Sequence, residues 1–172
     1  AMKELLSNVL DDILANVPKE KIDERVSLFK RNMHLLSYEV MANPIGVKGI
    51  GKYISKDSET SFAKYKKGAP VHVKAAINYN SLIDHWYEGK KYEKISNGTK
   101  IKWVYLKENT FGFDAIAFKG HEDPREILEL IKNHIDHKKM YEQAMSKKLG
   151  MFYKAMHWGG VEDKTTSMNR FF

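Results

Sequence analysis

The chain has 172 residues, 42% hydrophobic and 12% aromatic, with 29 Lys+Arg against 22 Asp+Glu and no cysteine. That apolar share argues against disorder, and the missing cysteines exclude a disulfide scaffold, a thiolate nucleophile and a Cys-based zinc site. No apolar run reaches the roughly 18–20 residues that span a bilayer, so no membrane partner is expected.

The net charge of +7 is unevenly placed. Residues 1–41 carry 6 Lys/Arg and 7 Asp/Glu, residues 42–108 carry 13 and 6, and residues 109–172 carry 10 and 9. The middle segment therefore holds the surplus. A localised positive field attracts polyanions, chiefly nucleic acid. The first residues lack the pattern of a secretory signal, and together with the absence of cysteine this sets the expectation of a reducing cytoplasm.

Taken in chain order, Leu6, Val9, Leu10, Ile13, Leu14 and Val17 recur at helical spacing until Pro18. A second apolar stripe follows through Ile22, Val26, Phe29, Met33 and Leu36, so residues 1–41 read as a helical hairpin. From Ser37 to Gly68 no regular period is visible, and Asn43 to Tyr53 is rich in glycine. Pro70 suits the start of a helix that runs on to Trp86, with Gly89 as its stop. Alternation from Lys100 to Leu106, after the Asn97-Gly98 turn, predicts a strand, and Ala115–Phe118 is its antiparallel partner. Asp123 is the expected N-cap of a helix near Arg125. A long helix is expected from Asp136 to His157, with Tyr141, Met145, Leu149, Phe152 and Met156 on one stripe. The predicted class is α+β, mainly helical with a small antiparallel sheet.

Two-metal chemistry needs clustered carboxylates. The adjacent acid pairs Asp11-Asp12, Asp23-Glu24, Glu122-Asp123 and Glu162-Asp163 read as solvated or structural, the first two on polar helix faces and the third at a helix start. His134 and His137 fall one helical turn apart, and with neighbouring acids they could serve a metal-dependent nuclease. The surface-histidine reading is preferred, because no third ligand is indicated and lysines surround them. Gly46-Val-Lys-Gly-Ile-Gly51 lacks the spacing and the Lys-Ser/Thr ending of a phosphate loop. No catalytic residue, metal ligand or cofactor is assigned.

What remains is a glycine-rich, lysine-punctuated segment running into an amphipathic helix. Lys48, Lys52, Lys56, Lys64, Lys66, Lys67 and Lys74 are interleaved with Tyr53, Phe62 and Tyr65. Lysines and backbone N–H groups near a helix start suit phosphate contact, and His72 can donate to a phosphate or to a base edge. The aromatics could stack on single-stranded bases, although core packing is the preferred reading for Phe62 and Tyr79.

The stretch Lys66-Lys-Gly-Ala-Pro-Val-His-Val-Lys-Ala-Ala-Ile-Asn-Tyr-Asn80 resembles part of the thumb of T-even-phage-type family B DNA polymerases. The block Tyr92-Glu-Lys-Ile-Ser-Asn-Gly-Thr-Lys-Ile-Lys-Trp-Val-Tyr-Leu106 is similar to a second motif of that family. Ile116-Ala-Phe118, Ile135-Asp-His-Lys-Lys-Met-Tyr-Glu142 and Leu149 to Trp158 follow in the family's order. Lys74 stands where the family often has Arg, which keeps the charge and loses the bidentate fork, and His157 replaces a Gly.

The resemblance covers roughly residues 42–172 and implies a thumb-like fold with a DNA-binding thumb (42–158) and a flexible clamp-binding C-terminal tail (159–172), into which the helical hairpin (1–41), which carries no distinctive motif, leads. It implies a grip on primer-template duplex by Lys48, Lys52, Lys66, Lys67, His72, Lys74 and Asn80, with Lys100 and Lys102 beside them. It also implies that Met168, Phe171 and Phe172 dock on a sliding clamp. The palm and exonuclease parts of the polymerase would be partners, and Mg2+ would belong to the palm alone. The competing expectation is a standalone accessory protein that prefers single-stranded nucleic acid.

Overall fold

In the computed structural model, which describes residues 1–55, 62, 65–88 and 90–161, proline sets the start of three helices. The elements in chain order are α1 (Met2–Leu14), α2 (Lys19–Asn32), a 3-10 turn (Met33–Leu35), α3 (Tyr38–Met41), β1 (Asn43–Gly46), α4 (Ile50–Tyr53) and α5 (Val71–Tyr87). They continue with β2 (Lys100–Tyr105), β3 (Ala115–Phe118), α6 (Arg125–His134), α7 (His137–Tyr141), a π turn (Glu142–Ser146) and α8 (Lys147–Ala155). Pro18, Pro70 and Pro124 are the N-cap residues of α2, α5 and α6, each extended with ψ of 141°, 148° and 141°. Each proline carbonyl accepts the first helical N–H groups, as in Val73 N to Pro70 O and Lys74 N to Pro70 O, both 3.0 Å. A proline has no N–H to leave unsatisfied at such a position.

The chain is α+β, mainly helical, with one antiparallel sheet of order β1-β2-β3. It divides into two compact units: Ala1–Ser37 with the chain from His137 onward, and Tyr38–Asp136. Residues 137–158, read from the sequence as part of the DNA-binding segment, thus pack with the N-terminal helices.

In the first unit α1 and α2 meet with Leu5, Val9, Ile22 and Val26 buried, whereas Leu10 and Leu14, read from the sequence as part of the α1 stripe, are exposed. Arg25 and Asp12 join the two helices at 2.9 Å. The C-terminal helical run is not one α-helix, because a π turn interrupts it. Tyr141, Met145, Leu149 and Tyr153 are buried, whereas Phe152 is half-buried and Met156 is exposed. A strict four-residue spacing drifts by about 40° per step in an α-helix, and a wider π turn takes up part of that drift. Asp23 is buried and no part of a polar helix face: the Tyr153 hydroxyl donates to Asp23 Oδ1 at 2.5 Å, and Lys19 reaches Oδ2.

In the second unit, β1 is a strand where the sequence shows no period. It is a short edge strand whose Pro44 lies opposite Lys102, and an edge tolerates a residue without an N–H. By register, Lys102 and Phe118 share one face of the sheet, and Trp103 and Ala117 the other. α5 packs against β3, and its residues Val73, Ala76, Tyr79, Leu82 and Ile83 are fully buried. α5 ends at Tyr87 and is capped by Glu88, which adopts the left-handed conformation (φ 51°) expected of Gly89; Gly89 lies outside the described residues.

β2 ends at Tyr105, and Leu106 then bridges to Ile135. Asp136 N donates to Tyr105 O at 2.9 Å and Lys107 N to His134 O at 2.6 Å. This pairing pulls Ile135 into extended backbone (ψ 129°), so α6 and α7 are separate helices.

Candidate nucleic-acid interface

The glycine-rich segment after β1 is tied to the turn before β2. Val47 N donates to Thr99 O at 3.1 Å, and Gly98 N donates back to Val47 O at 2.8 Å. Gly49 then takes φ +85°, a conformation open to glycine without steric cost, and its carbonyl receives Lys52 N and Tyr53 N. Ile50 N donates to the Asn97 side-chain oxygen at 3.1 Å. Lys48 and Lys52 are thereby carried, both exposed, beside the turn that leads into Lys100.

The next lysines are held by a second tie. Ile54 bridges to Tyr65, and Lys66 N donates to Tyr53 O at 2.8 Å. Gly68 turns the chain at φ +83°, and α5 starts three residues later. Lys66 and Lys67 are exposed immediately before α5, and His72 and Lys74 lie half-buried in its first turn. α4 packs on α5, so this set and Lys52 belong to one packed corner.

Tyrosines carry some of these cations. Lys74 Nζ lies 5.2 Å from the centre of the Tyr65 ring, and Lys52 Nζ lies 5.1 Å from that of Tyr53. Such contacts orient an ammonium without neutralising it. Among the described residues, Lys48, Lys52, Lys66, Lys67, Lys74, Lys100 and Lys102 form no ion pair with a carboxylate, whereas Lys90 and Lys94 face Glu88 and Asp84. Burial lowers the His72 pKa below its ordinary 6.5, so at neutral pH its imidazole is uncharged and acts as a hydrogen-bonding group.

Asn80 is placed differently from the sequence expectation. Its Nδ2 donates to Ile95 O at 2.8 Å, and its Oδ1 accepts from Ile95 N at 2.7 Å. This two-way clamp commits the amide to holding the chain after α5. Lys100 and Lys102 line a cleft on the sheet with Tyr38 and Phe118, and Lys102 Nζ donates to Glu39 O at 3.2 Å. Tyr79 is fully buried in the core. Phe62 is half-buried, with its ring edge-on to His85, Phe111 and Phe113. The parts Asn97 and Gly49 play in holding the basic corner were missed; the Asn-Gly turn was the one visible signal.

From the acid pairs, Asp12, Asp23 and Asp123 take structural roles. Asp123 does not cap α6. Its Oδ2 accepts Lys119 N and Gly120 N, both at 2.7 Å, and its Oδ1 accepts the Tyr79 hydroxyl at 2.8 Å. His134 closes α6 and His137 opens α7, so they are not one helical turn apart; His137 Nε2 lies 3.1 Å from Leu36 O. Among the described residues no three His, Asp or Glu side chains are grouped to hold a metal, and no helix is long and apolar enough to cross a membrane. Lys56, Lys64, Glu162-Asp163 and the tail residues Met168, Phe171 and Phe172 lie outside the described residues. The chain matches no protein-family model, and no curated protein matches it.

Proposed function

We propose that this chain is a duplex-DNA grip, the C-terminal thumb part of a phage-type family B DNA polymerase acting in replication. Support comes from one observation above the rest. Lys52, Lys66, Lys67 and Lys74 converge on the start of α5 with no carboxylate partner among the described residues, and two of them are seated on tyrosine rings. Cations left unpaired are free to meet phosphates, and release of the counterions condensed on the DNA drives the association. His72 adds an uncharged hydrogen-bonding group among them. Contact of this kind holds a duplex without reading its sequence, as a thumb behind an active site requires. The palm and exonuclease parts would be supplied by the remainder of the polymerase, with Mg2+ in the palm.

Anisotropy titrations with duplex and single-stranded DNA of equal length test this reading. Duplex is expected to win the competition, and ~6 phosphate contacts would lose ~10³-fold in affinity between 50 and 200 mM salt. Clear single-strand preference would overturn the grip in favour of a standalone accessory protein.

The resemblance also assigns the tail from Ser167 to Phe172 to a sliding clamp, with Met168, Phe171 and Phe172 as its apolar anchors. Deleting Asn169 to Phe172 is expected to abolish clamp binding and leave DNA affinity unchanged. Clamp binding that survives the deletion removes this part of the proposal.

A further inference from the structure

A cleft of about 620 Å³ opens on the sheet of the second unit, within the size range of small-ligand sites. Its walls come from α3, all three strands, the loop after β3 and α6, so residues far apart in sequence meet there. The floor is apolar: the Tyr38 ring stands edge-on to Phe118 at 5.1 Å, with Leu128 alongside. The rim is cationic. Lys100 is exposed, Lys102 is oriented by its bond to Glu39 O, and His121 stands opposite on the loop after β3.

That loop is built to stay in place. Asp123 Oδ2 takes both Lys119 N and Gly120 N, and Asp123 N donates to Gly120 O at 3.1 Å. Gly120 has φ +134° and no atom within 4 Å of where a Cβ would stand, so the wall beneath His121 stays open. Lys119 also lines the cleft, but its Nζ donates to Glu93 O at 2.7 Å and lies over the Tyr79 ring, away from the rim. Glu39 is the one acidic residue lining the cleft among the described residues.

We propose that this cleft binds a nucleoside phosphate, its phosphoryl group on Lys100, Lys102 and His121 and its base or sugar on the Tyr38–Phe118 floor. A bare phosphate would use the rim and leave the floor wet, whereas a neutral nucleoside would leave two lysines unanswered. A ligand with both halves satisfies both surfaces. The site is separate from the corner at the start of α5 and does not depend on the grip proposed above.

The probes are dAMP, inorganic phosphate and deoxyadenosine, each titrated into the 15N-labelled full chain and followed by amide shifts. dAMP is expected to move the resonances of Lys100, Lys102, Gly120 and His121 and to bind about tenfold more tightly than either half alone. Lys102→Gln with His121→Gln is expected to weaken dAMP binding at least about tenfold, as loss of charge-assisted contacts should. Both side chains stand at the rim, and an otherwise unchanged spectrum verifies the fold. Lys66→Gln, Lys67→Gln and Lys74→Gln together should leave dAMP binding intact while lowering duplex affinity. Failure of dAMP to shift the cleft, phosphate binding as tightly as dAMP, or shifts confined to the start of α5 would each overturn the proposal. Failure of duplex binding alone would overturn the grip and leave the cleft standing.

Discussion

The Tyr79 hydroxyl donates to Asp123 Oδ1 at 2.8 Å, a bond between two buried side chains 44 residues apart in the chain. Asp123 spends its other oxygen on the backbone of Lys119 and Gly120, so one carboxylate joins α5 to the loop that enters α6. Replacing Asp123 with Ala leaves three buried or half-buried donors without their acceptor and is expected to cost about 2–4 kcal/mol. Tyr79→Phe should cost less, about 1–2 kcal/mol. Chemical denaturation of both variants and the double variant checks this, and the two effects should not add.

Stability is expected to fall in alkali. Burial, then the charge and hydrogen bond of Asp123, raise the Tyr79 pKa well above its ordinary 10.0. Burial and the bond to Asp23 do the same for Tyr153. The folded chain keeps these protons where the unfolded chain loses them, so the contribution is complete below about pH 10 and declines as pH rises further, by at most about 1.4 kcal/mol per pH unit for each tyrosine. Thermal midpoints measured from about pH 8 to pH 11 should drop, and Tyr153→Phe should flatten the drop. An unchanged slope in that variant would count against the Asp23 contact.

Asn80→Ala separates a clamp from a DNA contact. Loss of the two-way bond with Ile95 should cost about 1–3 kcal/mol and speed hydrogen exchange at the Ile95 amide. The salt dependence of DNA binding should be unaltered, whereas a phosphate or base contact by Asn80 would show as weaker binding by the folded variant.

The lysines without a carboxylate partner among the described residues should be visible in the salt slope. Each of Lys66→Gln, Lys67→Gln and Lys74→Gln is expected to reduce the slope of log affinity against log salt by about 0.9. Lys90→Gln and Lys94→Gln should change it less, because those cations already face Glu88 and Asp84. Equal effects from both groups would mean that charge total, and not placement, governs binding.

The sequence by itself determined the elements whose pattern is local. The 3.6-residue stripes of α2 and α5 and the two-residue alternation of β2 follow from backbone geometry that neighbours in the chain already obey, whereas the stripe read for α1 located the helix but not its buried face. The position of the positive surplus was legible too, since charge can be counted segment by segment. Only the tertiary structure decided β1, because Asn43–Gly46 carries no strand period and owes its form to pairing with β2. It also decided the break at Ile135 and Asp136, where bonds to Tyr105 and Leu106 override a helical pattern. Asp123 and Asn80 show the same limit at the level of side chains. Asp before Pro reads locally as a cap, and Asn in a basic helix reads as a DNA contact, until Tyr79 and Ile95 arrive from elsewhere in the chain. A polar side chain bonds whatever the fold brings within about 3 Å, and that partner is absent from any local pattern. The same reason separates the lysines: their number is in the sequence, but which of them faces a carboxylate and which a tyrosine ring is settled by the packing around them.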